Sequence, residues 1–200
     1  MNAAQNFVIW PLSRFHQEYV VQEPLGHGQF GEVLLAKRRT DSVQVAAKIL
    51  KHCSKAREKL RIRDEIDILQ SLNHPNIIGL LGAYEDSNDF ILVLEYLSGG
   101  ELFQRVIDCG ESLSESRIAR QFLRQICNAC AVLGANNIAH LDIKPENIMC
   151  ASKDSDCIVK VEHSIKYSKN TQSKFVALAG RLWICSKIGI GRCKSDARNS

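Results

Sequence analysis

The chain has no uncharged apolar run of about 18 residues, the length a membrane helix needs. The nearest stretch, Phe175 to Ile190, is broken by Arg181 and Lys187, so no transmembrane helix and no membrane partner are expected. Met1 to Trp10 lacks the basic start and apolar core of a secretory signal. Internal repeats and low-complexity tracts are absent. Net charge is also small: +4 over 200 residues points to no nucleic-acid partner. Cysteine is not scarce, but the 8 residues are scattered and read as reduced thiols in a cytoplasmic protein. Cys127-x-x-Cys130 has no second cysteine pair at metal spacing and falls inside a helical apolar pattern, which makes these core cysteines rather than a redox or zinc half-site.

What is present is ordinary for a globular chain, with 45% apolar and 24% charged residues. The length suits one sizeable domain or a small two-lobed one. Charge is unevenly spread. From His163 to Ser200 there are eight Lys or Arg against the single acid Asp196, a balance of +7 that leaves −3 for residues 1–162. The composition therefore changes at about residue 163.

Tyr19 to Lys37 alternates apolar and polar residues around a Gly-rich centre, the pattern of strand, tight turn and strand. Gln44–Leu50, Ile77–Tyr84 and Phe90–Tyr96 read as three further strands. Ser54–Leu72 reads as an amphipathic helix ended by His74-Pro75-Asn76, since proline cannot continue it. Past Ser98-Gly99-Gly100 the period becomes helical: a short helix starts at Glu101. A long one follows from the N-cap Ser114, with Ile118, Phe122, Ile126, Cys130 and Leu133 on one face. Ile138–Met149 reads as a loop around Pro145, and Ile158–Val161 as an extended piece. The expected fold class is α+β with two lobes and a cleft: a five-stranded sheet interrupted by one helix, then a mainly helical part, and the resemblance described below makes these an antiparallel small lobe and a truncated large lobe.

Gly26-His27-Gly28-Gln29-Phe30-Gly31 matches G-x-G-x-x-G. A dinucleotide-binding turn would open a helix at this point. Here Glu32-Val33-Leu34-Leu35 continues as a strand, and strand-loop-strand is the setting of a loop that covers ATP phosphates. Val45-Ala46-Ala47-Lys48 places a lysine on the next strand, where it can reach phosphates, and Glu65 on the following helix is the carboxylate to hold it.

With Ile91-Leu92-Val93-Leu94-Glu95-Tyr96-Leu97-Ser98-Gly99-Gly100-Glu101-Leu102-Phe103 and His140-Leu141-Asp142-Ile143-Lys144-Pro145-Glu146-Asn147-Ile148-Met149, the chain resembles the eukaryotic protein serine/threonine kinases. The best match is the calcium/calmodulin-regulated group, in its myosin light chain kinase, titin/twitchin and death-associated kinase branch. The similarity runs from about Tyr19 to Val161. It implies an N-terminal extension over 1–18, a small lobe over 19–97, a partial large lobe over 98–162 and a non-matching basic tail over 163–200. It implies ATP and Mg2+ as cofactors and a protein substrate. Leu25, Val33, Ala46 and Met149 would sandwich the adenine, the Glu95 and Leu97 backbones would bond its edge, and Leu94 would be gatekeeper. Gly26, Gly28 and Gly31 would cover the phosphates that Lys48, held by Glu65, would bind, and Glu101 would meet the ribose. Asp142 would accept the substrate hydroxyl proton, Lys144 would steady the phosphoryl group, and Asn147 would hold one magnesium ion.

The chain departs from that family in three places. Leu141 replaces the arginine that pairs with an activation-loop phosphate. The Asp-Phe-Gly motif is missing, and the sequence reads Lys160-Val161-Glu162-His163-Ser164-Ile165. Direct spacing puts His163 at the metal position, and a one-residue deletion puts Glu162 there. A phosphate-bridging metal is worth several kcal/mol, so its loss costs about a thousandfold or more at 1.36 kcal/mol per factor of ten. No Ala-Pro-Glu follows, and Ser164–Ser200 matches nothing in the family. Two readings stay open: a protein serine/threonine kinase, or a catalytically impaired pseudokinase or truncated regulatory fragment that binds nucleotide or a partner. The tail around Arg181-Leu182-Trp183-Ile184 and Lys187-Ile188 is compatible with calmodulin, although its glycines weaken a helix.

Overall fold

The computed structural model describes residues 8–28, 31–51, 55–109, 117–140, 142–154, 158–162 and 167–168. They fall into two compact units, one of Met1–His74 with Ile78–Leu97, the other of Pro75–Ile77 with Ser98–Ser200.

The first unit is a sheet with two described helices. Its elements are β1 (Trp10–Pro11), α1 (Leu12–Glu18), β2 (Tyr19–Gly28), β3 (Gly31–Arg38), β4 (Gln44–Leu50), α2 (Ala56–Ser71), β5 (Leu80–Glu85) and β6 (Phe90–Glu95). The six strands lie in the order β1-β5-β6-β4-β3-β2. All pairings are antiparallel except β1 with β5, where Trp10 lies opposite Tyr84. The five antiparallel strands are those expected from alternation, while the sixth strand and α1 come from the N-terminal extension, where no element was expected.

Strand period fixes which side chains share a face. One face carries Ala36, Val45, Ala47, Ile91 and Val93, and α1 closes it. Phe15 of α1 is fully buried there against Tyr19 and Tyr84, with ring centroids at 5.2 and 5.5 Å. Helix α2 buries Ile62, Glu65, Ile66, Ile68 and Leu69. It ends at Leu72, whose backbone is extended, three residues before Pro75.

The second unit contains α3 (Leu102–Cys109), α4 (Arg117–Ala135), β7 (Ala139–His140), a 3-10 turn at Pro145–Asn147, β8 (Ile148–Cys150), β9 (Val159–Val161) and β10 (Tyr167–Ser168). β8 and β9 form an antiparallel hairpin, and β7 pairs with β10. One apolar cluster holds the unit: Leu102 of α3, Phe122, Ile126 and Cys130 of α4, and Ile148, Cys150 and Val159 of the hairpin. Phe122, Ile126 and Cys130 of the apolar spacing expected along α4 thus form a core face. Ser114, its expected N-cap, lies outside the described residues. Cys127, Cys130 and Cys150 are free thiols, and Cys130 and Cys150 are buried. No helix among the described residues is long and apolar enough to cross a membrane.

A buried amide network fastens this hairpin. Asn76 Nδ2 donates to the Gln125 Oε1 of α4 at 2.8 Å and to the Val159 carbonyl at 2.9 Å. Gln125 Oε1 also accepts the Val159 N–H at 3.0 Å, and the Asn76 carbonyl accepts the Val161 N–H at 2.9 Å. Six polar groups that would be costly if buried alone satisfy one another through these four bonds, and β9 is held along its length as a result.

Candidate active site

In the first unit, register brings four of the expected nucleotide residues to one face. Ala46 and Lys48 are two apart on β4 and therefore point the same way. Leu94 lies opposite Ala46, and Val33 lies opposite Lys48. This is the face away from Phe15. Ala46 and Leu94 are buried and Val33 is half-buried, whereas Leu25 on β2 is exposed. Lys48 is only 6% exposed and Glu65 only 2%. A buried ammonium and a buried carboxylate within one unit are tolerable only with compensation, so neither is an ordinary solvated surface charge.

The three loop glycines differ in what requires them. Gly28 pairs with Gly31 to close the β2–β3 hairpin, and Gly26 pairs with Val33. A Cβ on Gly26 would meet nothing within 4 Å, which leaves that backbone open to a ligand. Gly31 has φ +136° and a Cβ there would stand 1.9 Å from the Ile49 carbonyl oxygen, so packing alone demands glycine. Gln29 and Phe30 lie outside the described residues. At the end of β6, the Glu95 N–H donates to the Gly79 carbonyl at 3.1 Å, and its Oε1 accepts the Gly79 N–H at 2.7 Å. Leu97, just beyond, is buried.

In the second unit, Asp142, Lys144 and Asn147 come together. Asn147 Nδ2 donates to the Asp142 carbonyl at 2.8 Å and to its Oδ2 at 3.1 Å, and Lys144 Nζ is 3.7 Å from the same Oδ2. The 3-10 turn that puts these residues in reach closes with the Asn147 N–H on the Lys144 carbonyl at 3.0 Å. Pro145 at its first position fits, because its fixed φ and missing N–H cost nothing there. Met149 on β8 points out of the core and bridges Glu101 through the backbone.

His140 sits behind these groups, 4% exposed, and sequence reasoning had given it no role. Its Nε2 is 2.9 Å from the Glu162 carbonyl, which can only accept, so Nε2 carries the proton. Nδ1 then accepts the Asp142 N–H at 3.2 Å. The imidazole therefore links the backbone of the expected base to the end of β9. The signal was present in His140-Leu141-Asp142, but only the fold shows what the ring bonds. Leu141, His163 and the Arg181–Ile188 segment read as compatible with calmodulin lie outside the described residues.

The family resemblance implies magnesium, and Asn147 fits that role. Its amide nitrogen is committed twice to Asp142, so the remaining amide atom, Oδ1, is the hard oxygen donor magnesium prefers. Among the described residues no group of three or more His, Cys, Asp or Glu side chains could enclose a metal ion.

The protein kinase domain model matches residues 19–174, well over half of the chain. The chain belongs to the protein kinase family. It is 40% identical over 148 residues to the smooth-muscle myosin light chain kinase of Gallus gallus, covering 74% of this chain and 8% of that protein. It is 38% identical over 143 residues to myosin light chain kinase family member 4 of Homo sapiens, covering 72% of this chain and 36% of that protein. A solved twitchin kinase fragment of C. elegans, titled an autoregulated protein kinase with immunoglobulin domains, matches with TM-score 0.63 and 33% identity. That match covers 73% of this chain and 32% of the solved one. The chain is thus a serine/threonine-kinase-like member of the myosin light chain kinase and twitchin group, with the protein-kinase fold, and it spans well under two thirds of the length of these relatives.

Proposed function

We propose that this chain binds ATP with Mg2+ and transfers the γ-phosphate to a serine or threonine hydroxyl of a protein. The observation that carries this reading is the Asp142 carboxylate, fixed by the Asn147 amide on one side and facing the Lys144 ammonium on the other. Phosphoryl transfer asks a protein for position and charge rather than for covalent chemistry. Asp142 takes the proton of the incoming hydroxyl. Lys144, on the same carboxylate oxygen, offsets charge on the moving phosphoryl group. Lys48 binds the nucleotide phosphates and Glu65 orients it, while Val33, Ala46 and Leu94 give the adenine an apolar face. Asn147 Oδ1 would be one ligand of Mg2+, which when bound would neutralise phosphate charge.

The test is transfer of labelled phosphate from ATP to a basic serine peptide. Wild type is expected to transfer, and Asp142→Asn to lose at least about a hundredfold, the scale of general base catalysis. The second reading, a fragment that binds nucleotide without turnover, is favoured by the Glu162-His163-Ser164 replacement. Nucleotide binding with no transfer, equal in wild type and Asp142→Asn, establishes that reading instead.

A further inference from the structure

The kinase-domain match begins at residue 19, and the segment ahead of it builds one wall of a cleft in the sheet unit. The cleft has a volume of about 490 Å3, within the roughly 300–1,000 Å3 of small-molecule sites. Val8, Trp10 and Glu18 of that segment line it, together with Arg38 of β3 and Leu81 and Tyr84 of β5. None of its lining residues is among those expected to bind nucleotide. Tyr84 packs on Phe15, on the face of the sheet opposite to Lys48.

The walls combine two kinds of surface. Trp10 is 36% exposed and Leu81 45%, which leaves apolar area open to water. Arg14 lies 3.6 Å over the indole and holds the ring in place. Glu18 supplies acceptors. One of its oxygens accepts from Arg14 Nε at 2.6 Å and the other from the Tyr84 hydroxyl at 2.5 Å, which uses two of about four acceptor sites on a carboxylate. Arg38 supplies donors, since a guanidinium has more N–H groups than Asp41 and Tyr19 together can take. It is also near enough to act on the charge of Glu18. The charges themselves are matched within the wall, Arg14 with Glu18 and Arg38 with Asp41. An ion entering the cleft would give up hydration without meeting a net opposite charge. Hydrogen-bonding capacity is offered, and charge is not.

We infer that this cleft binds a neutral, flat aromatic heterocycle that carries an N–H beside a carbonyl, as a lactam does. The N–H donates to Glu18 and the carbonyl accepts from Arg38. The ring body covers the exposed parts of Trp10 and Leu81. This binding does not depend on phosphoryl transfer.

The test uses the full chain as the Trp183→Phe variant, isotope-labelled on nitrogen. The chain has 2 tryptophans, so the remaining indole N–H resonance belongs to Trp10. The probe is carbostyril, a fused aromatic lactam with adjacent N–H and carbonyl. It should move the Trp10 resonance saturably, with Kd on the order of 1 mM or below, the scale for a ligand this small. N-methylcarbostyril keeps the ring and loses the donor. It should bind about tenfold or more weakly, the worth of a hydrogen bond to a charged group, and this comparison needs no change in the cleft. Leu81→Glu should weaken carbostyril by at least as much. Val43→Glu, also at a residue 45% exposed but outside the cleft, should leave it unchanged. Excess ATP should not displace the probe. A Trp10 resonance that does not move or does not saturate, equal affinity for the two lactams, insensitivity to Leu81→Glu, loss in Val43→Glu, or displacement by ATP overturns the inference.

Discussion

Single residues carry the sharpest constraints. Gly99 has an ordinary backbone conformation, yet a Cβ there would stand 2.2 Å from the Ser152 carbonyl oxygen and 2.6 Å from that of Cys150. Its N–H donates to the same Cys150 carbonyl at 3.0 Å. Adding a methyl group gains about 0.4–1 kcal/mol by stiffening the unfolded chain where space allows. Here both obstacles are backbone, so the sign reverses. Gly99→Ala should lower the urea midpoint of the chain, and a midpoint at or above wild type would contradict the contact. Phe15 makes the opposite case. It is wholly enclosed by Tyr19, Tyr84 and the sheet, and Phe15→Ala should cost about 3–5 kcal/mol. A fall of under 1 kcal/mol, in denaturant, would mean that α1 does not close the sheet.

Among the elements, β4 could be read in the sequence and β1 could not. Gln44–Leu50 is apolar and β-branched enough to be recognised as a strand, and the structure shows it between β3 and β6 with the same bounds. β1 is two residues long and exists only because the edge of β5 accepts it. α1 has seven residues behind Pro11 and no side-chain cap, so its helicity comes from seating Phe15 rather than from local signals. The stretch around Pro145 read as loop because β7 and β8 are two and three residues long and are set by pairing with the later strands β10 and β9 rather than by local signals. For the site, motif order gave residue identities, while the tautomer of His140 required coordinates.

The same extension introduces a pH dependence. Tyr84 O–H donates to Glu18 Oε2 at 2.5 Å and Arg14 Nε to Oε1 at 2.6 Å. The tyrosine hydroxyl most of all holds the Glu18 carboxyl below its ordinary 4.5; burial opposes it next, and Arg14 adds to the lowering. Burial first, and then the carboxylate, push the Tyr84 hydroxyl above its ordinary 10.0. A depressed acid stabilises the fold above its unfolded value and loses that contribution as pH falls through the folded value. Tyr84 acts at the other end, since the unfolded chain deprotonates first as pH rises past 10.0. Urea midpoints should therefore fall below about pH 4.5 and above about pH 10 from this pair. Tyr84→Phe should flatten both limbs. Limbs unchanged in Tyr84→Phe would show that other groups set the profile.

At the scale of the whole molecule, each unit brings together its own share of the residues that the family resemblance singles out. The sheet unit carries Lys48, Glu65, Val33, Ala46 and Leu94, and the hairpin unit carries Asp142, Lys144 and Asn147. Each part is assembled by register and buried hydrogen bonds within its own unit. A nucleotide-binding kinase domain is the proposal that these residues support. Its most direct test is a thermal-shift titration of the full chain with ATP, with and without Mg2+, comparing wild type with Lys48→Ala. Wild type is expected to show a stabilisation that grows with Mg2+, about 2.7 kcal/mol at a ligand concentration a hundredfold above Kd, and that is absent in Lys48→Ala. No shift in wild type under any condition, or an equal shift in Lys48→Ala, would contradict it.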